Sequence, residues 1–336
     1  MSELFLVLLG WAGVDVFFVL SGFLITGILI GSRDSSRYFS SFYARRTLRL
    51  FPLYYLIVFL AFYVLPHFPA WHHLLVGPDD GQQWHYWTYL VNFEISANNA
   101  FQHGVLDVAW SLAIEEQFYI VWAAVIWLIS PRSVGWVCAA IIVAAPIARI
   151  AALGGGVDPV DVYVLPHYRA DALATGALLA WLYSRGHLTN LARFAPWIAA
   201  AGFAIAVSLA AADDTAWWWG PWTQRLGYSA FALGSGGLVT AAVTRPASSV
   251  WPRLLSAGWL RAFGKYSYCL YLIHLPVMRV MREVVLPPEQ FTSLASPLLA
   301  SLLFFAVATV PAFGLAWLSW HMYEAPILRL KARFAY

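Results

Sequence analysis

The sequence predicts an all-α protein, a polytopic transmembrane helical bundle of about nine spans. Three observations carry this reading. Of the 336 residues, 61% are hydrophobic and only 11% are charged, whereas a soluble domain is typically about 45–50% apolar and about 25% charged. The mean hydropathy is +0.67, and apolar runs long enough to cross about 30 Å of hydrocarbon recur along the chain. Between these runs, Arg-rich loops alternate with acidic, Gly- and Pro-rich ones.

Taken in order, the expected spans are Leu4–Ile30, Leu50–Pro66, Ser111–Ile129, Trp136–Leu153, Tyr168–Tyr183, Pro196–Ala212, Leu226–Val243, Tyr266–Leu286 and Pro297–Trp320. The stretch "HYWTYLVNFEI" (His85–Ile95) is too short to span and reads as interfacial or re-entrant. Most of the 20 Lys and Arg fall in loops on one side, beginning with Arg33, Arg37, Arg45, Arg46 and Arg49 and ending with Arg329, Lys331 and Arg333. The positive-inside rule makes that side, with the C-terminus, cytoplasmic. The 18 Trp and 17 Tyr suit the headgroup level. Cys138 and Cys269 lie in apolar runs and read as small hydrophobes rather than a disulfide. No nucleic-acid partner and no soluble domain of useful size are expected.

Ionisable residues inside spans are expensive, so each needs a reason. They are Asp15, Glu115, Glu116, Arg149, Arg169, Asp171, His274, Arg279 and Arg282. Glu115 and Glu116 open the third span. There they either complement the helix dipole, with Ser111 as a cap, or line a site, one facing a cavity and the other the interface. Arg169 and Asp171 are two apart and do not face each other on a helix, so each is expected to pair elsewhere. Arg46 and Arg49 lie three apart at the cytoplasmic boundary. They read either as positive-inside anchors or as a fork for a phosphate, with Pro52 beginning or kinking the span that follows. His274 precedes Pro276 mid-span, where a kink is expected, and is either a satisfied polar residue or a proton carrier. Ser21-Gly22 is a small-residue step that lets another helix come close. His67, His72, His73 and His85 are irregularly spaced without Cys, and no metal site is expected.

Six stretches occur together and in order: "GVDVFFVLSGFLIT", "RRTLRLFPLYY", "WSLAIEEQFY", "YRADALATGALLAW", "YSYCLYLIHLPV" and "YEAPILRL". In this combination the chain closely resembles the integral-membrane acyltransferase family 3, from Gly13 to Leu330. The resemblance implies about ten spans, a single membrane-embedded domain over residues 1–336, and residence in a bacterial inner (plasma) membrane. It also implies O-acyl transfer, chiefly of acetyl, from acyl-CoA to a hydroxyl of a cell-surface carbohydrate or related acceptor.

By resemblance, Arg46 and Arg49 match the family's arginine pair linked to the acyl donor, Glu115 and Glu116 its acidic motif, and Ser21-Gly22-Phe23 its small-residue motif. Members carry an Arg and a His in a span preceding "VDVFFVLSGF", and the residues before Gly10 contain neither. The expectation is therefore a family member without its first helix, whose absent partner would pack on Ser21-Gly22. Within the chain, Glu116, Asp15 and His274 are the candidate catalytic residues. Arg46, Arg49, Ser21, Glu115, Arg169 and Asp171 are the candidate substrate-binding residues. No bound cofactor is implied, since acetyl-CoA is a donor substrate. Two alternatives stand beside this reading: an inactive truncated member, and a proton-coupled transporter with Asp15, Arg169, Asp171 and His274 as a relay.

Overall fold

The computed structural model describes residues 9–76, 82–215, 217–246, 248–286 and 297–336. The first residues of the expected Leu4–Ile30 span and the loop acids Asp79, Asp80 and Glu289 lie outside them. The helices, in order, are α1 (Gly13–Gly31), α2 (Tyr38–Phe59), α3 (Pro69–Leu75), α4 (Trp84–Trp87), α5 (Val91–Asn98), α6 (Ala109–Leu128), α7 (Val134–Gly154) and α8 (Pro159–Val164). There follow α9 (Pro166–Ser184), α10 (Ala195–Ala212), α11 (Tyr228–Thr244), α12 (Val250–Leu255), α13 (Gly258–Val280), α14 (Pro297–Ser319) and α15 (Ala325–Arg329). Among the described residues seven helices are long and apolar enough to cross a membrane, counting α2, α6, α11 and α14 with their flanking turns. The more polar α9 and α13 are as long. The nine expected spans thus each coincide with a long helix, and the protein is an all-α, multi-pass membrane protein.

Two boundaries differ from expectation. α2 begins at Tyr38, twelve residues before the expected Leu50, and α13 begins at Gly258 rather than Tyr266. Both extensions are basic, and hydropathy does not see a helix whose end is charged. Arg46 and Arg49 therefore lie well inside α2, not at its boundary. α2 runs through Pro52, and α13 through Pro276, as unbroken helix. Their irregular turns come later, as π turns at Leu60–Val64 and Met281–Val285. The interfacial stretch is two short helices, α4 and α5.

The outward faces show the solvent for which the fold is built. On α1, Val16, Leu20, Leu24 and Ile28 recur every four residues and are exposed. Asp15, Phe18, Val19, Gly22, Ile25, Thr26 and Leu29 form the buried face. The polar residues are inside and the exposed stripe is apolar, the order expected where lipid surrounds the bundle.

α1 and α9 make the most extensive helix pair, because both present small residues at the crossing. A Cβ on Gly22 would overlap the backbone carbonyl of Leu173, and one on Gly176 would overlap that of Val19. The neighbour of the Ser21-Gly22 step is therefore α9, not a helix upstream of α1. α6 closes the other side of α1: Trp122 Nε1 donates to Thr26 Oγ1 at 2.8 Å. At the basic end, Arg33 Nη2 donates to the carbonyls of Trp127 and Ile129 at 3.0 and 2.6 Å.

Overpacking at this crossing costs about 1–3 kcal/mol. Gly22→Ala and Gly176→Ala are expected to lower the thermal unfolding midpoint of the purified protein in detergent. Gly27→Ala, where an added Cβ meets nothing within 4 Å, leaves it unchanged or raises it.

Candidate active site

The helical pitch of α2 puts Arg46 and Arg49 on one face, but they meet different partners. The Arg46 guanidinium lies 4.3 Å from the centroid of the Tyr119 ring, within electrostatic range of Glu115 and Glu116. Arg49 lies 3.8 Å from Glu324 and over the rings of Trp320 and Tyr268, at 5.4 and 6.0 Å. The pair is thus split, with Arg49 answered by the closing "YEAP" segment and Arg46 turned toward α6. The C-terminal 3-10 turn, Leu330–Phe334, leads the chain back along α2, where Ser41 Oγ donates to the Ala335 carbonyl at 3.0 Å. Lys331 comes within electrostatic range of Arg45, Arg46 and Arg49. Four cations gathered at one end of the bundle repel one another, and such a cluster favours an anionic ligand.

Glu115 and Glu116 are the seventh and eighth residues of α6, past the first turn, so the helix-dipole reading fails. Ser111 does not cap: it lies inside α6, donating to the Val108 carbonyl at 3.2 Å, with its Oγ 2.5 Å from the Tyr271 hydroxyl. Both glutamates are buried, so neither faces the interface as one was expected to. Glu115 lies within interaction range of Ser21, Tyr119 and Arg46, and Ser21 Oγ hydrogen-bonds the Tyr119 hydroxyl. Oε1 of Glu115, Oε1 of Glu116 and Nε of Arg46 are buried without a hydrogen-bond partner among the described residues. Buried polar atoms in native structures are overwhelmingly paired, so these three make this region a candidate site; Asp15 Oδ2, Arg149 Nε and Arg169 Nε and Nη1 are unpartnered in the same sense.

Asp15, Arg169 and Asp171 go elsewhere. Arg169 Nη2 donates to Asp15 Oδ1 at 2.9 Å, and Arg149 Nη2 to Asp171 Oδ2 at 2.9 Å. Ser229 Oγ bonds the same Asp171 oxygen at 2.5 Å, and the Arg169 guanidinium sits 3.8 Å from the Tyr228 ring centroid. All four ionisable groups are buried almost completely. The two pairs tie α9 to α1 and to α7, with α11 closing the group. Arg169 and Asp171 do pair elsewhere, as their spacing requires.

His274 lies on α13 with Nδ1 2.6 Å from the Tyr271 carbonyl. A carbonyl only accepts, so Nδ1 carries the hydrogen and Nε2 is left as the accepting nitrogen. The ring of Tyr271 stacks on Phe17 of α1 at 6.1 Å, and its hydroxyl contacts Ser111, one helical turn from Glu115. A line of polar groups therefore runs from the glutamates through Ser111 and Tyr271 to His274. Among the described residues no group of three or more His, Cys, Asp or Glu is placed to hold a metal ion.

Several members of this site were not singled out from sequence. Tyr119 was legible at helical spacing, three and four residues after Glu116 and Glu115. Arg149 stood among the ionisable residues inside spans but was given no role. Glu324 and Lys331 stand far from Arg46 in the chain, and no local pattern joins them.

A multi-pass helical bundle with ionisable groups converging inside it marks a functional site within the membrane. Residues 2–321 match the family model described as an acyltransferase domain, and the chain belongs to that family of acyltransferases. It is 28% identical over 295 residues to the peptidoglycan O-acetyltransferase OatA of Listeria monocytogenes, covering 82% of this chain and 46% of that protein. It is 29% identical over 294 residues to the O-acetyltransferase OatA of Staphylococcus aureus, covering 80% of this chain and 46% of that protein. The chain spans about half the length of these curated relatives. No solved structure matches it.

Removing one partner of a buried pair costs about 3–5 kcal/mol, because the other charge is stranded. Asp15→Asn is expected to lower the unfolding midpoint sharply, and Asp15→Leu with Arg169→Leu to restore much of it. A variant that keeps its midpoint but loses acyl transfer would instead make Asp15 a catalytic group.

Proposed function

We propose that this chain acts as one membrane-embedded acyltransferase domain that moves an acetyl group from acetyl-CoA to a hydroxyl of a cell-surface carbohydrate of the peptidoglycan kind. The observation that carries this reading is the cluster of unpartnered buried atoms on Glu115, Glu116 and Arg46 beside the Ser21–Tyr119 hydroxyl pair. Names of the relatives support the acetyl group and the glycan acceptor.

In this reading the basic end of the bundle faces the cytoplasm of a bacterial inner membrane, as the placement of Lys and Arg favours. The phosphates of acetyl-CoA lie against Arg45 and Lys331, and the thioester reaches inward to Arg46 and Glu116. The acceptor comes from the opposite side. Glu116 takes the proton of the acceptor hydroxyl as its oxygen attacks the thioester carbonyl. The hydroxyl of Tyr119 and the Arg46 guanidinium stabilise the oxyanion. The C–S bond breaks, the thiolate takes the proton from Glu116, and coenzyme A leaves on the side from which it came. Glu115 holds Ser21, Tyr119 and Arg46 in register. His274, with Nε2 free to accept, serves protons on the acceptor side.

The paired state of Asp15, Arg169 and Asp171 argues against a transport relay, since a relay needs groups that change partners.

The test is transfer from labelled acetyl-CoA to chitotriose by the protein reconstituted in lipid vesicles. Glu116→Gln is expected to lower kcat by about 10²–10⁴-fold, and Arg45→Gln to raise the KM for acetyl-CoA about tenfold or more. Wild-type kcat in Glu116→Gln would place the base elsewhere, and no transfer by the unaltered protein would sink the reading.

A further inference from the structure

At the end of the bundle opposite the arginine cluster, a cleft of about 470 Å³ opens between the turn before α6 and the outer part of α13. Its size is that of a small-molecule site. Phe101 and Phe304 supply aromatic rings, and Met278 an apolar wall. Gln102, Asp107, Arg279 and Arg282 supply planar polar groups. Arg279 stands outside the positive-inside pattern, so its position is not explained by topology. Its guanidinium lies within electrostatic range of Asp107, whose Oδ1 accepts the backbone N–H of His103 at 3.0 Å. Arg279 faces the cleft while the carboxylate beside it is anchored to its own loop.

This lining has a specific chemistry. It mixes aromatic and apolar surface with acceptors and donors of both kinds, and each of its cations stands beside a carboxylate, Arg279 near Asp107 and Arg282 on Glu283 at 3.0 Å. Lipid tails would meet too many polar groups here, and a strongly anionic ligand would meet Asp107. A sugar ring fits, because it presents a C–H face to aromatic surface and a rim of hydroxyls that both donate and accept. The placement is also connected. Tyr271, His274 and Met278 fall on one face of α13, by the three- and four-residue spacing of a helix. That stripe leads from the Ser111–Tyr271 contact beside the glutamates to the cleft.

We infer that this cleft is the acceptor subsite and holds a neutral N-acetylhexosamine unit, with Asp107 and Arg279 bonding its hydroxyls and Phe101 and Phe304 covering its apolar faces. The inference rests on the acetyl-transfer reading given above and names where that reaction's acceptor binds. Asp107 and Arg279 would then set acceptor specificity without touching the donor.

The experiment is direct binding of chitobiose to the purified protein by saturation-transfer NMR, with acetyl-CoA binding measured on the same samples. Met278→Trp, which fills the cleft, and Arg279→Gln are each expected to weaken chitobiose binding tenfold or more while acetyl-CoA binding stays within twofold of wild type. Retained acetyl-CoA binding shows that the variants are folded. Arg279→Lys, which keeps the charge but loses the fork, is expected to recover only part of the affinity. Wild-type chitobiose affinity in both Met278→Trp and Arg279→Gln would overturn the assignment, as would an unaltered protein that turns over acetyl-CoA but does not bind chitobiose. Chitobiose binding that depends on Met278 and Arg279 in a protein that does not bind acetyl-CoA would uphold the cleft and sink the donor reading instead.

Discussion

A guanidinium taken out of water has to be answered by a carboxylate at hydrogen-bonding distance, and the centre of this bundle is arranged around two such answers. Arg169 of α9 meets Asp15 of α1, and Arg149 of α7 meets Asp171 of α9, both at 2.9 Å. Two residues apart on a helix, Arg169 and Asp171 point in different directions, so α9 carries one charge toward each neighbour. The small residues at the α1–α9 crossing permit the approach that the first pair requires. Fixing α1 in this way sets Ser21 against Tyr119, and with it the wall of the candidate site.

The second ionisable cluster is organised differently, with no carboxylate hydrogen-bonded to its arginine among the described residues. Around Arg46 the carboxylates of Glu115 and Glu116 keep oxygens without partners among the described residues, although each is buried. Unmet buried groups cost stability, and the ion-paired cluster carries some as well: Asp15 Oδ2, Arg149 Nε and Arg169 Nε and Nη1 have no partner among the described residues. The difference is that each guanidinium there still meets a carboxylate at hydrogen-bonding distance. Arg49, held by Glu324 and two aromatic rings, braces the C-terminal segment. That segment in turn brings Lys331 to the arginines.

Much of this was legible from residues alone. Apolar runs located the long helices, and their charged extensions at Tyr38 and Gly258 were hidden because hydropathy measures lipid preference, not helix formation. The separation of Arg169 and Asp171 announced that each would seek a partner on another helix. It did not say which, because Asp15 stands far from Arg169 in the chain and Arg149 lies across a different helix boundary. The glutamates read equally well as a helix start until the start was placed at Ala109, which left them a full turn inside. Gly22 was recognisable as a close-contact residue, but the helix it contacts could not be named from α1 itself.

By itself, the sequence determined that the chain lives in a membrane, where its helices run, which residues are too polar to face lipid, and the family to which its ordered motifs belong. These follow from composition and from periodicities of a few residues, which are local properties. Only the tertiary structure decided which of those polar residues pair with one another across helices. Charge pairing depends on distances of a few ångströms between helices that are far apart in the chain. No local pattern contains those distances.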